Sequence, residues 1–415
     1  MTLMPFDVAA ILIVLAAAFA YLNNRFIRLP SSVGLTLMGA FSSLIVLAVD
    51  RLVPASRATD DIVSLITSID FHQTLMNGML SFLLFAGALH VDWEEMRRGR
   101  WPILVLSTIG VLLSTTLIGG GFYLLSGWLG LAVPPIWCLV FGALISPTDP
   151  VAVMGVLKRT DVSPTLQATV AGESLFNDGV GVVVFSILLS AASGGEAFSV
   201  PHALELFAIE AGGGVVLGLL IGWIAVRAMQ SIDEYNVEVM MTLAVVMGGY
   251  ALANQIDVSG PVAMAVAGIL IGNHGVAQAM SETTKDYLLK FWSLVDEILN
   301  AILFLLIGLE VITVSHDLRV LALGALAIPL ALAARTASVL LPLVVLRPVL
   351  RLGPQAPATL IWGGLRGGIS VALALSLSDT SSRAVILAAT YMVVLFAVIA
   401  QGATIERLLA PSVKR

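Results

Sequence analysis

The chain has 415 residues, of which 58% are hydrophobic and only 12% charged, and its formal net charge is −6. That many apolar side chains cannot all hide inside one water-soluble core, so lipid must face most of them. There is no basic run and no aromatic-rich basic face, which excludes a nucleic-acid footprint.

The first apolar stretch, 8–23, has the length of a signal-peptide core, but no Lys or Arg precedes it and Arg25 and Arg28 follow it. It is therefore read as a membrane span with its N-terminus outside. Further spans are expected at 31–49, 72–90, 102–126, 135–157, 165–192, 203–228, 236–254, 259–273, 287–313, 318–346, 356–378 and 384–408, at about 20 residues per crossing. The joints this topology places in the cytoplasm carry Arg25, Arg28, Arg97, Arg98, Arg100, Lys158, Arg159, Arg227, Lys285, Lys290, Arg347, Arg351, Arg407, Lys414 and Arg415. The opposite joints carry only Arg51, Arg57, Arg319 and Arg383. A wrong span count would scramble that positive-inside bias, so count and orientation support each other.

The joints are short and leave no room for a soluble catalytic or regulatory domain. No phosphate-binding P-loop is present, so a nucleotide is not expected as partner or energy source. An odd span count points to two six-span halves, about 1–195 and 236–410, joined by a linker helix at 203–228. Inverted repeats of this kind place a binding site at mid-membrane on interrupted helices. The fifth and twelfth spans correspond, and both are interrupted: the fifth by Ser146-Pro147-Thr148-Asp149-Pro150, the twelfth by Gly363-Gly364-Leu365-Arg366-Gly367-Gly368. The expected fold is an all-α polytopic membrane protein of a single domain.

Ionisable groups inside spans are costly and mark a site by default; here they are Asp149, Glu173, Asp178, Glu310, Arg335 and Arg366. In the sixth span Glu173 and Asn177 are four apart, as are Ser174 and Asp178, so adjoining helical faces present two carboxylates, an amide and a hydroxyl. Such oxygens suit a hard monovalent cation. In the fifth span two prolines flank Thr148-Asp149, remove backbone donors and free carbonyls that can line a cavity.

Three segments, Ser146-Pro147-Thr148-Asp149-Pro150, Gly172-Glu173-Ser174-Leu175-Phe176-Asn177-Asp178-Gly179 and Gly363-Gly364-Leu365-Arg366-Gly367, resemble in order and spacing the monovalent cation:proton antiporters of the NhaP and eukaryotic sodium/proton exchanger branch. The resemblance implies a dimerisation domain and a six-helix core that moves as an elevator. It implies that Asp178 binds cation and proton alternately, that Ser174 and Thr148 help to coordinate Na+, and that Glu173 pairs with Arg335 and holds Asn177. It further implies that Asp149 pairs with Arg366 where the broken helices cross. Asn177 stands where electrogenic relatives carry a second Asp, which implies electroneutral exchange. One departure is the third span, Leu84-Phe85-Ala86-Gly87-Ala88, where some relatives carry a Glu. The implied activity is exchange of Na+ or Li+ for H+ by a homodimer in a bacterial inner membrane, without cofactor or catalytic group. A K+/H+ exchanger is the alternative within the family, and a symporter or channel the alternative outside it.

Other residues have plainer readings. Glu310 is expected to snorkel at the outer end of the tenth span, and Asp296-Glu297, in that span's cytoplasmic half, to act as helix-surface charges rather than to line an ion funnel. His72, His90, His202, His274 and His316 form no i,i+4 pair and read as ordinary interface histidines. The lone Cys138 reads as a buried free thiol. Gly119-Gly120-Gly121 and Gly212-Gly213-Gly214 read as helix-packing positions.

Overall fold

The computed structural model describes residues 5–52, 79–157, 162–194, 199–276, 280–313, 317–345, 352–377 and 380–409. The third span before residue 79, and Arg57, His72, Lys158, Arg159, His316, Arg347, Arg351, Lys414 and Arg415, lie outside the described residues.

In chain order the helices are α1 (Pro5–Leu22), α2 (Ser31–Leu52), α3 (Leu80–Leu89), α4 (Trp93–Arg98), α5 (Arg100–Trp128), α6 (Pro135–Ile145), α7 (Val151–Leu157), α8 (Pro164–Ala192) and α9 (Val200–Met229). They continue with α10 (Tyr235–Gln255), α11 (Gly260–Leu270), α12 (Glu282–Leu309), α13 (Leu318–Val345), α14 (Ala356–Trp362), α15 (Gly368–Leu375), α16 (Ser381–Phe396) and α17 (Gly402–Leu409). Each expected span meets a helix, and the fifth and twelfth are each split in two, as α6/α7 and α14/α15. Among the described residues the only strand-like pairing is an antiparallel bridge between Asp149 and Leu365, the two interruptions themselves.

Sequence sets the helix starts. The Ser163 hydroxyl accepts from the Leu166 N–H ahead of α8, with Pro164 in the first turn. Ser259 caps α11 on Val262, and Ser281 caps α12 on Thr284. A side-chain oxygen thereby satisfies a helix-end N–H, and proline sits where no donor is needed. The Ser281 cap starts α12 five residues earlier than the apolar pattern suggests, which puts Asp296 at mid-helix instead of in the cytoplasmic half.

The helices form two bodies, each centred on a large apolar cluster, and the two meet at α3 and α11, whose Leu84 and Ile269 join the first cluster. One core takes Ile118 and Phe122 of α5, Phe141 of α6, Phe185 of α8, Leu323 and Ala327 of α13 and Ile386 of α16. The other takes Phe85 of α3, Leu217 of α9, Val246 of α10, Met264 of α11 and Trp292 of α12. Against the second body α2 lies tightly on α12: Thr36 Oγ1 donates to Phe304 O at 3.1 Å and Ser43 Oγ to Leu309 O at 2.7 Å. Gly39 and Gly308 permit this approach, since a Cβ on either would meet backbone of the other helix. Of the two triple-glycine segments, Gly119 packs on Cys138 and Leu139, and Gly213 and Gly214 on Val258 and Ser259.

Gly308→Ala should force α2 and α12 apart at a cost of about 1–3 kcal/mol, seen as a lower melting temperature of the purified protein in detergent. Gly120→Ala, whose Cβ would meet nothing within 4 Å, should not lower the melting temperature, since alanine is the better helix residue.

Candidate functional site

Asp178 sits at the centre of the 29-residue helix α8 and is buried at 6% exposure. Glu173, Ser174 and Asn177 on the same helix are buried as well. They meet the first interruption, where α6 ends at Ile145 and Pro147 and Pro150 prevent the ladder from continuing.

Asn177 organises this junction. Its Oδ1 accepts from the Thr148 N–H at 3.2 Å, and its Nδ2 donates to Thr148 Oγ1 at 2.7 Å and to Glu173 Oε1 at 3.3 Å. Ser174 Oγ lies 3.1 Å from Thr148 Oγ1. The amide thus supplies the bonds that the broken helix cannot make for itself, which matters where lipid offers no partner.

The second interruption is tied to the first. The Asp149 N–H donates to Leu365 O at 2.8 Å. Arg366 Nη1 donates to Ser146 O at 2.9 Å and Pro147 O at 3.1 Å, so this arginine holds the first break through its freed carbonyls. The Asp149 carboxylate occupies the space a Cβ on Gly367 would need, and Arg335 occupies that of a Cβ on Gly364. Glycine is required at both positions because the other chain segment fills the side-chain volume. Arg335 forms a two-pronged pair with Glu173, Nη1 to Oε1 at 2.6 Å and Nη2 to Oε2 at 2.8 Å, and its Nε and Nη2 also reach Leu360 O.

A cavity of about 480 Å³ opens beside this junction. Thr148, Asp149 and Asp178 line it from one body, and His90, Ser293, Asp296 and Asn300 from the other. Asp92 and Glu95 line it near α4. The lining carries five carboxylates and, among the described residues, no Lys or Arg.

Several expectations change in detail. Ser174, Asn177 and Glu173 are not in the lining; their polar atoms turn to Thr148 and Arg335, so they brace the site from behind. Asp296 lines the cavity, contrary to its reading as a helix-surface charge, while Glu297 is exposed and does not. Glu310 does not snorkel: it is buried at 4% exposure, in the turn where α12 ends against α2. His90 is a cavity residue, not only an interface one. Ser293 and Asn300 join Asp296 on the wall; their signal is an i, i+3, i+7 polar stripe running into the apolar C-terminal half of α12. Ala86 and Gly87 also line the cavity, so the third span offers it no acid at those positions.

The family model "Sodium/hydrogen exchanger, transmembrane" matches residues 13–410, and the chain belongs to that family. It is 47% identical over 408 residues to the Na(+)/H(+) antiporter NhaP of Pseudomonas aeruginosa, covering 96% of this chain and 95% of that protein. It is 33% identical over 393 residues to the Na(+)/H(+) antiporter NhaH of Halobacillus dabanensis, covering 93% and 92% of the two chains. It shares its fold with the solved sodium proton antiporter MjNhaP1 from Methanocaldococcus jannaschii, with a TM-score of 0.73 at 21% identity and coverage of 97% and 96%.

Glu173→Gln should strand the Arg335 charge and cost about 3–5 kcal/mol of stability. Thermal unfolding in detergent checks this, and adding Arg335→Met should recover part of the loss, because the double variant leaves no unpaired charge.

Proposed function

We propose that this member of the sodium/hydrogen exchanger family exchanges Na+ (or Li+) for H+, with Asp178 taking the two ions in turn and Thr148 contributing oxygen ligands. The observation that carries the reading is the placement of Asp178: a carboxylate buried at mid-span, beside a broken helix, on a cavity with acids and no cationic side chain among its described lining. A hard cation is held by carboxylate, hydroxyl and carbonyl oxygens of this kind. The acids on the cavity wall raise the local concentration of cations and repel anions.

Exchange follows from competition for one carboxylate. Loaded with a proton or with a cation, Asp178 adds no net charge to the moving body; empty, it would carry a bare charge across a low-dielectric barrier, where charge is far more costly than in water. The loaded forms therefore cross and the empty form does not, which couples the two ions. Glu173 and Arg335 neutralise each other and travel as a unit, and Asn177 brings no second ionisable group. One monovalent cation for one proton is the resulting stoichiometry.

The rest of the assignment rests on family membership and on the arginine bias of the joints. The body built on α5, α6, α8, α13 and α16 is the mobile core, and the body built on α3 and α9–α12 carries the contact to a second copy. The cavity opens to the cytoplasmic face of a bacterial inner membrane, on the side of Asp92 and Glu95. The two halves, about 1–195 and 236–410, are inverted repeats whose interrupted spans meet at Asp149 and Leu365.

Inverted membrane vesicles with a pH-sensitive dye test the reading. Added Na+ and Li+ should each cause proton efflux, unchanged when the membrane potential is clamped, and Asp178→Asn should abolish it. Normal exchange by Asp178→Asn would overturn the role of that carboxylate, a response to K+ alone would change the cation, and a voltage-driven response would overturn the stoichiometry.

A further inference from the structure

The wall opposite Asp178 has an order that the proposed exchange does not use. Ser293, Asp296 and Asn300 lie on one face of α12 at i, i+3 and i+7, and all three line the cavity. Asp296 stands at the middle of the 28-residue helix Glu282–Leu309, as Asp178 stands at the middle of α8. Two carboxylates thus reach the same cavity at mid-helix from different bodies.

The stripe is held in place. Asn300 Nδ2 donates to Asp296 Oδ1 at 3.0 Å, and Asn300 is itself 7% exposed. On the neighbouring helix, His90 Nδ1 lies 2.8 Å from Ala86 O and Nε2 lies 3.1 Å from Ser293 Oγ. A carbonyl only accepts, so Nδ1 carries the proton, and in the neutral ring Nε2 must accept from Ser293. The Ser293 proton is then committed to His90, and the lone pairs of its oxygen are left for another partner. One N–H of the Asn300 amide is committed to Asp296, and the three side chains bring a carboxylate, an amide and a hydroxyl to the cavity wall, three hard oxygen types.

Resting on the exchange proposed above, we infer that Ser293, Asp296 and Asn300 form a second cation site, a staging site for a partly hydrated Na+ or Li+ on the body that faces the core. A cation entering past Asp92 and Glu95 exchanges part of its water shell for these oxygens before it reaches Asp178. Replacing ligands stepwise avoids stripping the ion in a single costly step. Because the site sits on the other body, it releases the ion to Asp178 and does not travel with it. Asp296 therefore governs how much Na+ is needed, and Asp178 whether exchange occurs at all.

The third span supplies an independent check. Gly87 lines the same cavity, and a Cβ there would meet nothing within 4 Å, so an aspartate can start from that wall without a clash at its Cβ. The experiment measures Na+-driven proton efflux in inverted vesicles over a range of Na+ for wild type, Asp296→Asn and Asp296→Asn/Gly87→Asp, with melting temperatures of the purified proteins. Wild type is measured first: no efflux there overturns the exchange reading and this one with it. With wild type active, Asp296→Asn should raise the half-saturating Na+ about tenfold and lower the maximal rate less than twofold. Gly87→Asp should bring the half-saturating concentration most of the way back. An unchanged half-saturating concentration in Asp296→Asn overturns the staging site alone. So does a loss of exchange that Gly87→Asp does not relieve, since Asp296 would then serve packing and not the ion.

Discussion

Everything at the centre of this protein depends on two helices that stop halfway and must satisfy each other. In a bilayer the hydrocarbon offers a loose peptide group no partner, and an unpaired one costs several kcal/mol. The two interruptions close that deficit jointly: Asp149 N–H to Leu365 O, Arg366 to the carbonyls of Ser146 and Pro147, and the Asn177 amide to both the N–H and the hydroxyl of Thr148. None of these bonds is local in sequence. The fifth and twelfth spans can therefore be broken only because both are broken at the same place, and because α8 and α13 bring side chains to that place.

Charge is distributed around the junction by the same logic. Glu173 and Arg335 meet through two short parallel hydrogen bonds and are nearly without solvent contact. A pair in that geometry is largely self-compensating, and its value is in fixing α8 against α13 and α14 rather than in net stability. The positive charge of Arg366 is spread over two carbonyls freed by the break. Asp178 has no such arrangement among its described contacts and faces a cavity instead. The site thus separates charges that hold the scaffold from the charge offered to a visiting ion.

Much of this was legible in the sequence. Length and apolar content gave the spans, the proline and glycine runs gave the two interruptions, and the four-residue spacings gave the polar stripe on α8. Helical phase, however, does not say which of two adjoining faces meets a neighbour and which meets a cavity. Ser174 and Asp178 share a face by spacing, yet Ser174 turns to Thr148 and Asp178 to open space. That choice is made by the position of the break, which lies 26 residues away from Ser174 along the chain. The α12 wall is hidden in the sequence for a related reason. Apolar periodicity marks only the apolar part of α12, whereas the Ser281 cap starts the helix earlier and so puts Asp296 at its middle. Glu310 is buried by segments distant in the chain, α2 across the Gly39 and Gly308 contact and Tyr391 of α16, which no local pattern reveals.

The amide at position 177 then constrains more than the number of charges. It uses one acceptor and two donors on three partners, Thr148 N–H, Thr148 Oγ1 and Glu173 Oε1. An ionised aspartate could keep the Thr148 N–H and accept from the Thr148 hydroxyl, but it has no proton for Glu173 and would face that carboxylate with like charge. With Glu173 already committed to Arg335, the junction as built has use for an amide and not for a second carboxylate. Electroneutral exchange, on the proposed reading, is therefore not a matter of one missing acid at the ion site. It follows from how the broken helix is braced: the residue that would change the stoichiometry is the residue that completes the hydrogen bonds of the break.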